Sequence, residues 1–182
     1  EFLSQKGISE MERLSNIDCE RIFCSPLERA AKSAEIISRG RIPIEKDERL
    51  LEIDFGMYSK NDVRELTTIF PDKYRSTITP NESFPQGESL CELAERIKQF
   101  HASLLEKKYS SVCIISHQWA LSTYLKILLQ IPLSEKNVFI FEHGTYTAVE
   151  IINERVTIIG HNIRASSELN SFVIRDEFNR RA

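Results

Sequence analysis

Arg21-Ile22-Phe23-Cys24-Ser25-Pro26-Leu27-Glu28-Arg29-Ala30-Ala31 is a short apolar run that passes directly into helical spacing. Arg21 to Ser25 predicts a strand, and Pro26 to Ile37 predicts a helix with Leu27, Ala30, Ala31, Ala34 and Ile37 on one face. Ser25 with Glu28 three residues on reads as a capping box. Pro26 falls at the first helical position, where its missing N–H is no loss. Gly40 closes the helix and Ile42 to Ile44 reads as a second extended piece.

The same unit recurs downstream. Ser89 and Glu92 form another capping box, opening a long helix whose apolar face is Leu90, Leu93, Ala94, Ile97, Phe100, Leu104 and Leu105. Val112 to Ile115 is apolar on both faces, the pattern of a buried parallel strand, and a helix with Leu121, Tyr124, Leu125 and Leu128 follows. Val138 to Phe141, Thr147 to Ile152 and Val156 to Ile159 are further strand candidates, the last two joined as a hairpin at Asn153-Glu154. Strands alternating with helices predict an α/β fold with helices on both faces of a mostly parallel sheet. Residues 56–88 are polar, carry Pro71, Pro80 and Pro85, and read as a helical excursion over the sheet within a single domain spanning 1–182.

Composition narrows the function classes. The 182 residues suit one domain, and 41% hydrophobic content is enough for a core and too high for disorder. The formal net charge of −3, with neither sign collected into a long run, implies no nucleic-acid or membrane field. No apolar stretch approaches the roughly 20 residues of a membrane span. Cys19, Cys24, Cys91 and Cys113 form no C-x-x-C pair, which predicts a reduced, cytoplasmic protein. There is no initiator Met or signal peptide, so the expectation is a processed start or a chain that is not the complete gene product.

In an open α/β sheet ligands bind beyond the carboxyl ends of the strands. After the first strand comes Arg29, in the first turn of a helix whose free N–H groups favour an anion; the competing reading is a surface Arg. After the buried strand come His117 and Gln118 at a strand-to-helix junction, where a lone His is commonly structural. Glu52, in Leu50-Leu51-Glu52-Ile53-Asp54-Phe55-Gly56, is a carboxylate among apolar neighbours, which raises its pKa toward general-acid use.

The ordered series Ser25-Pro-Leu-x-Arg29-Ala, Leu51-Glu52-Ile-Asp-Phe-Gly56, Pro85-x-Gly87-Glu88-Ser89 and Ser116-His117 resembles the histidine phosphatase superfamily, also called phosphoglycerate mutase-like. The resemblance runs from Leu3-Ser4-Gln5-Lys6-Gly7, similar to the element opening that family's first helix, to about Asn162. It implies a three-layer α/β/α fold and phosphoryl transfer through a phosphohistidine, without a metal or other cofactor. Its implied partner is a small phosphate monoester, or phosphate or sulfate as a bound anion. In that picture Arg29 holds the phosphoryl oxygens with Gln118, Glu52 protonates the leaving oxygen, and His117 stabilises the transition-state charge. Ser59-Lys60 after Tyr58 departs from the glutamate-glycine usual in the family.

The family's nucleophile is the His of an arginine-histidine-glycine motif ending a first, central strand, which would lie upstream of Leu3. Three explanations compete for its absence here. The chain is a fragment or processed form. Or it is a circular permutation, in which Phe172-Val173-Ile174-Arg175-Asp176 is the missing strand, with Arg175 at the motif's Arg and Asp176 at the nucleophile's place. Or Glu142-His143-Gly144 is the motif, although a Glu then stands where the phosphate-binding Arg belongs. The β-favouring run Phe172 to Ile174 leads to the expectation that 171–175 lies between the strands containing Phe23 and Ile114 and delivers Arg175 to the pocket. The expected activity is that of a phosphatase on small phosphate monoesters. The alternative is an inactive relative that binds a phosphorylated ligand or a protein partner.

Overall fold

The computed structural model describes residues 3–59, 79–135 and 138–165. Helix α1 (Gln5–Arg13) starts at Ser4, whose hydroxyl accepts the Gly7 N–H at 3.1 Å. Strand β1 (Arg21–Cys24), helix α2 (Glu28–Ser38) and strand β2 (Ile44–Lys46) form the first unit. Helix α3 (Leu90–Lys107), strand β3 (Val112–Ile115) and helix α4 (Gln118–Leu128) form the second. A hairpin of β4 (Tyr146–Ile152) and β5 (Arg155–Ile163) follows.

The first three strands form a parallel sheet in the order β2-β1-β3, with Ile22 opposite Ile44 and Cys113, and Phe23 opposite Ile114. The two-residue side-chain period of β1 then separates two cores. Phe23 packs with Leu93, Ile97 and Phe100 of α3 and Ala120 and Tyr124 of α4, its ring edge-on to Phe100 at 5.6 Å. Ile22 and Cys24 turn to the other face, against Ala34 and Ile37 of α2 and Leu14 beyond α1. The result is the expected α/β/α layering. Phe23 is 2% exposed and Phe100 1%, so each buried ring contributes roughly 1.5–3 kcal/mol of transfer free energy.

The capping box at Ser89 is formed in full: Ser89 Oγ accepts the Glu92 N–H, and Glu92 accepts the Ser89 N–H at 2.7 Å. The box expected at Ser25 is not. Leu27 is the N-cap of α2 without a side-chain cap, and of the helix-start N–H groups Ser25 Oγ reaches the Leu27 N–H alone, at 3.3 Å, because the hydroxyl is directed across the strand ends to His117. The second extended piece begins at Ile44 rather than Ile42.

Two further expectations are corrected. Residues 138–141 are not a strand, because side chains take the backbone groups a neighbouring strand would need. Gln118 takes Phe139 O and the Phe141 N–H, and Asn162 Nδ2 donates to Ile140 O at 2.8 Å. Nor does any strand lie between those of Phe23 and Ile114, since β1 and β3 are directly paired along all four residues. Among the described residues β3 is an edge of its sheet, and β4–β5 is a separate sheet. Segment 171–175, with Arg175 and Asp176, lies outside the described residues.

The hairpin turns at Asn153 and Glu154, both with positive φ (48° and 65°), as a two-residue type I′ turn requires. Of the 56–88 excursion, 60–78 lies outside the described residues, but its two ends are pinned together. Met57 N–H donates to Pro85 O, and Glu88 N–H to Asp54 O. Gly56, with φ +55°, sits so close that a Cβ would lie 2.1 Å from Pro85 O, so only glycine fits there.

Candidate active site

The carboxyl ends of β1 and β3 and the helices that follow them bring together residues far apart in sequence. Arg29 enters from the first turn of α2, and His117 is the N-cap of α4. Arg29 Nε donates to His117 Nδ1 at 3.3 Å across 88 positions of sequence. On the other side of the ring, His117 Nε2 lies 2.8 Å from Ser25 Oγ, and Ser25 is fully buried. Burial is the main reason the His117 pKa falls to about 4, with the positive charges of Arg29 and Arg96 adding to it. At neutral pH the imidazole is therefore uncharged.

Glu52 is held against the N-terminus of α4. Its Oε1 accepts N–H bonds from Ile53 at 3.0 Å, Trp119 at 3.1 Å and Ala120 at 3.3 Å, while Oε2 has one longer contact with the Trp119 N–H, at 3.4 Å. Burial raises the carboxyl pKa, outweighing those three N–H groups and the charge of Arg29. The helix terminus favours the anion and desolvation the acid, and desolvation wins.

The backbone carrying Glu52 is fixed by residues that sequence reasoning did not nominate. Arg96, on α3, donates from Nη1 to Arg49 O at 2.6 Å and Leu51 O at 2.9 Å, and from Nη2 to Glu52 O at 3.2 Å. Its Nε and Nη2 grip the two oxygens of Glu88 at 2.7 and 2.9 Å, a bidentate pair. Ser116 Oγ adds a bond to Leu50 O at 2.7 Å. Arg96 adjoins Glu95 on an amphipathic helix and reads in sequence as solvent-facing; only its spacing of eight from the Glu88 of Gly87-Glu88-Ser89 hints at the clamp.

Gln118, expected on the phosphate, donates from its amide to Phe139 O and accepts the Phe141 N–H, each at 2.8 Å. It braces α4 against the segment that leads to the hairpin. Of the other histidines, His101 pairs with Tyr124 at 2.9 Å and His161 with Thr147 at 2.8 Å, both away from Arg29. A cleft of about 470 Å³ beside Glu52 is lined by Glu48, Asp54, Glu88 and Glu92 with Arg49 and Arg96, and by neither Arg29 nor His117. Its carboxylates disfavour a phosphate. Among the described residues no three His, Cys, Asp or Glu side chains converge as metal ligands, and no helix is long and apolar enough to cross a membrane.

The chain is 28% identical over 169 residues to phosphoserine phosphatase 1 of Hydrogenobacter thermophilus, covering 88% of this chain and 80% of that one. It is 29% identical over 171 residues to the adenosylcobalamin/alpha-ribazole phosphatase of Salmonella typhimurium, covering 90% and 85%. The crystal structure of the alpha-ribazole phosphatase from Shigella flexneri superposes with a TM-score of 0.76 at 24% identity, over 90% of this chain and 85% of that one, and so shares the fold. The family model of the histidine phosphatase superfamily (branch 1) matches residues 3–164, which span both helical layers, the five strands of the described residues, Arg29, Glu52 and His117. The chain belongs to the histidine phosphatase superfamily.

Proposed function

We propose that this chain acts on small phosphate monoesters, with Arg29, His117 and Glu52 as its phosphoryl-transfer groups. The observation that carries this reading is the meeting of Arg29 and His117 at 3.3 Å with Glu52 on the adjoining helix N-terminus. Arg29 supplies permanent positive charge for the phosphoryl oxygens, and His117, uncharged at neutral pH, accepts the Arg29 Nε–H through Nδ1 and holds the guanidinium. Glu52 supplies the proton for the leaving oxygen. That proton belongs on Oε2, since Oε1 is already occupied by three N–H donors.

The second reading is a phosphate-binding protein without turnover. The experiment is hydrolysis of p-nitrophenyl phosphate and of an alkyl phosphate by the purified chain. Turnover that Glu52→Gln slows far more for the alkyl ester, whose leaving group needs the proton, supports the enzyme. Orthophosphate binding without turnover of either ester supports the binding protein, and neither binding nor turnover overturns both.

A further inference from the structure

The hydrogen bonds around His117 determine which of its ring nitrogens carries the proton. A guanidinium has five donors and no acceptor, and it stays protonated at any pH a protein meets. Arg29 Nε therefore donates to His117 Nδ1, and Nδ1 must present its lone pair. In a neutral imidazole the proton then sits on Nε2, which faces Ser25 Oγ at 2.8 Å and donates to it. The hydroxyl oxygen has two lone pairs, and the Leu27 N–H at 3.3 Å takes the second. Ser25 itself is held in place, fully buried at the end of β1, with its N–H donating to Ile115 O at 2.9 Å.

A relay follows from Ser25 to His117 to Arg29, in which each group aims the next. We propose, building on the function proposed above, that Ser25 is a positioning residue: by accepting the Nε2–H it fixes the orientation of the His117 ring, so that Nδ1 stays on Arg29 and orients the guanidinium that receives the phosphoryl group. The charged groups facing the ring among the described residues are Arg29 from α2 and Arg96 from α3, with Glu52 bound two residues further along α4. Both arginines disfavour a second proton on the ring, so the neutral form that the relay needs is the one present at rest. Without the Ser25 acceptor, Nε2–H would be a donor in a buried site with no partner there, and the ring would be free to exchange tautomers or turn.

The test reads the tautomer directly, from the nitrogen shifts of His117 in ¹⁵N-labelled protein at pH 7, together with orthophosphate affinity. Wild type is expected as Nε2–H. Ser25→Ala is expected to lose that preference and to bind orthophosphate several-fold more weakly, while Ser25→Thr, which keeps the hydroxyl, restores both. A purely structural Ser25 would lower Tm on truncation and leave the tautomer unchanged, which would overturn the proposal. So would Nδ1–H in the wild type, a result that needs no variant to fold. Loss of the Nε2–H preference together with weaker orthophosphate binding in Ser25→Ala supports the relay even in a chain that turns over no ester, and unchanged affinity overturns it, so the proposed function and this inference fail separately.

Discussion

The parallel sheet and the β4–β5 hairpin are built from similar residues and used in opposite ways. In β1, Ile22, Phe23 and Cys24 are at most 2% exposed, covered by helices on both faces. In the hairpin Ile151, Ile152 and Ile159 are 44–49% exposed. The sheet pairs residues about 90 positions apart, such as Phe23 with Ile114, whereas the hairpin is closed locally by its own turn. Register and side-chain direction are thus fixed from both faces in the sheet, and its strand ends can hold Ser25, Arg29 and His117 to hydrogen-bond accuracy. The segment leading into the hairpin braces α4 through Gln118 and the 139–141 backbone.

This contrast can be broken experimentally. The largest effect is expected at Phe23: Phe23→Ala should cost about 3–5 kcal/mol in urea denaturation, by removing a ring packed on Phe100 and leaving a cavity. Arg96→Met should follow, at about 2–3 kcal/mol, since it strips the partner from Glu88 and three carbonyls; this is below the figure for a fully buried pair because the two side chains remain 19% and 16% exposed. In addition it should weaken Glu52-dependent turnover, because Glu52 loses its fixed backbone. Gln118→Ala should cost about 1–2 kcal/mol through its two lost bonds to backbone. Ile151→Thr, in the exposed hairpin, should stay within about 0.5 kcal/mol. A hairpin variant as costly as Phe23→Ala would erase the distinction.

The pH dependence of stability sharpens it at the site. His117 has a folded pKa of about 4 against an ordinary value of 6.5, so between those values the unfolded chain binds more protons than the folded one. Its contribution is present above pH 6.5 and is lost as pH falls toward 4. Glu52 works in the opposite sense: its raised pKa makes the folded chain bind more protons just above pH 4.5, so its contribution declines as pH rises there. Subtracting the stability profile of His117→Gln from that of wild type should leave a difference that rises from pH 4 to 6.5. A flat difference would place His117 in an environment like water.

How much of this was legible in the sequence follows from the range of the forces involved. Helix starts set by local bonds, such as the Ser89–Glu92 box, could be read, as could the two-residue turn at Asn153-Glu154. Arg29 and His117 could be nominated because each follows a strand, and Glu52 because apolar residues flank it. What could not be read was which distant group completes each local pattern. Ser25 looks like a cap until His117, 92 positions away, is placed opposite it. Residues 138–141 look like a strand until Gln118 and Asn162 claim their backbone. Arg96 looks solvated until the 49–52 backbone is folded over it. The expected strand between β1 and β3 is ruled out by their direct pairing, since an apolar run in the sequence does not specify its neighbours.

The central claim is that the Arg29–His117 junction is a phosphoryl site, and titration of orthophosphate into the wild-type chain and into Arg29→Ala tests it most directly. Wild type should bind the anion, and Arg29→Ala, which removes the permanent charge while leaving the strand ends and α4 in place, should weaken binding at least tenfold, about 1.4 kcal/mol or more. Equal affinity in the two proteins would contradict the account and place the anion elsewhere on the molecule.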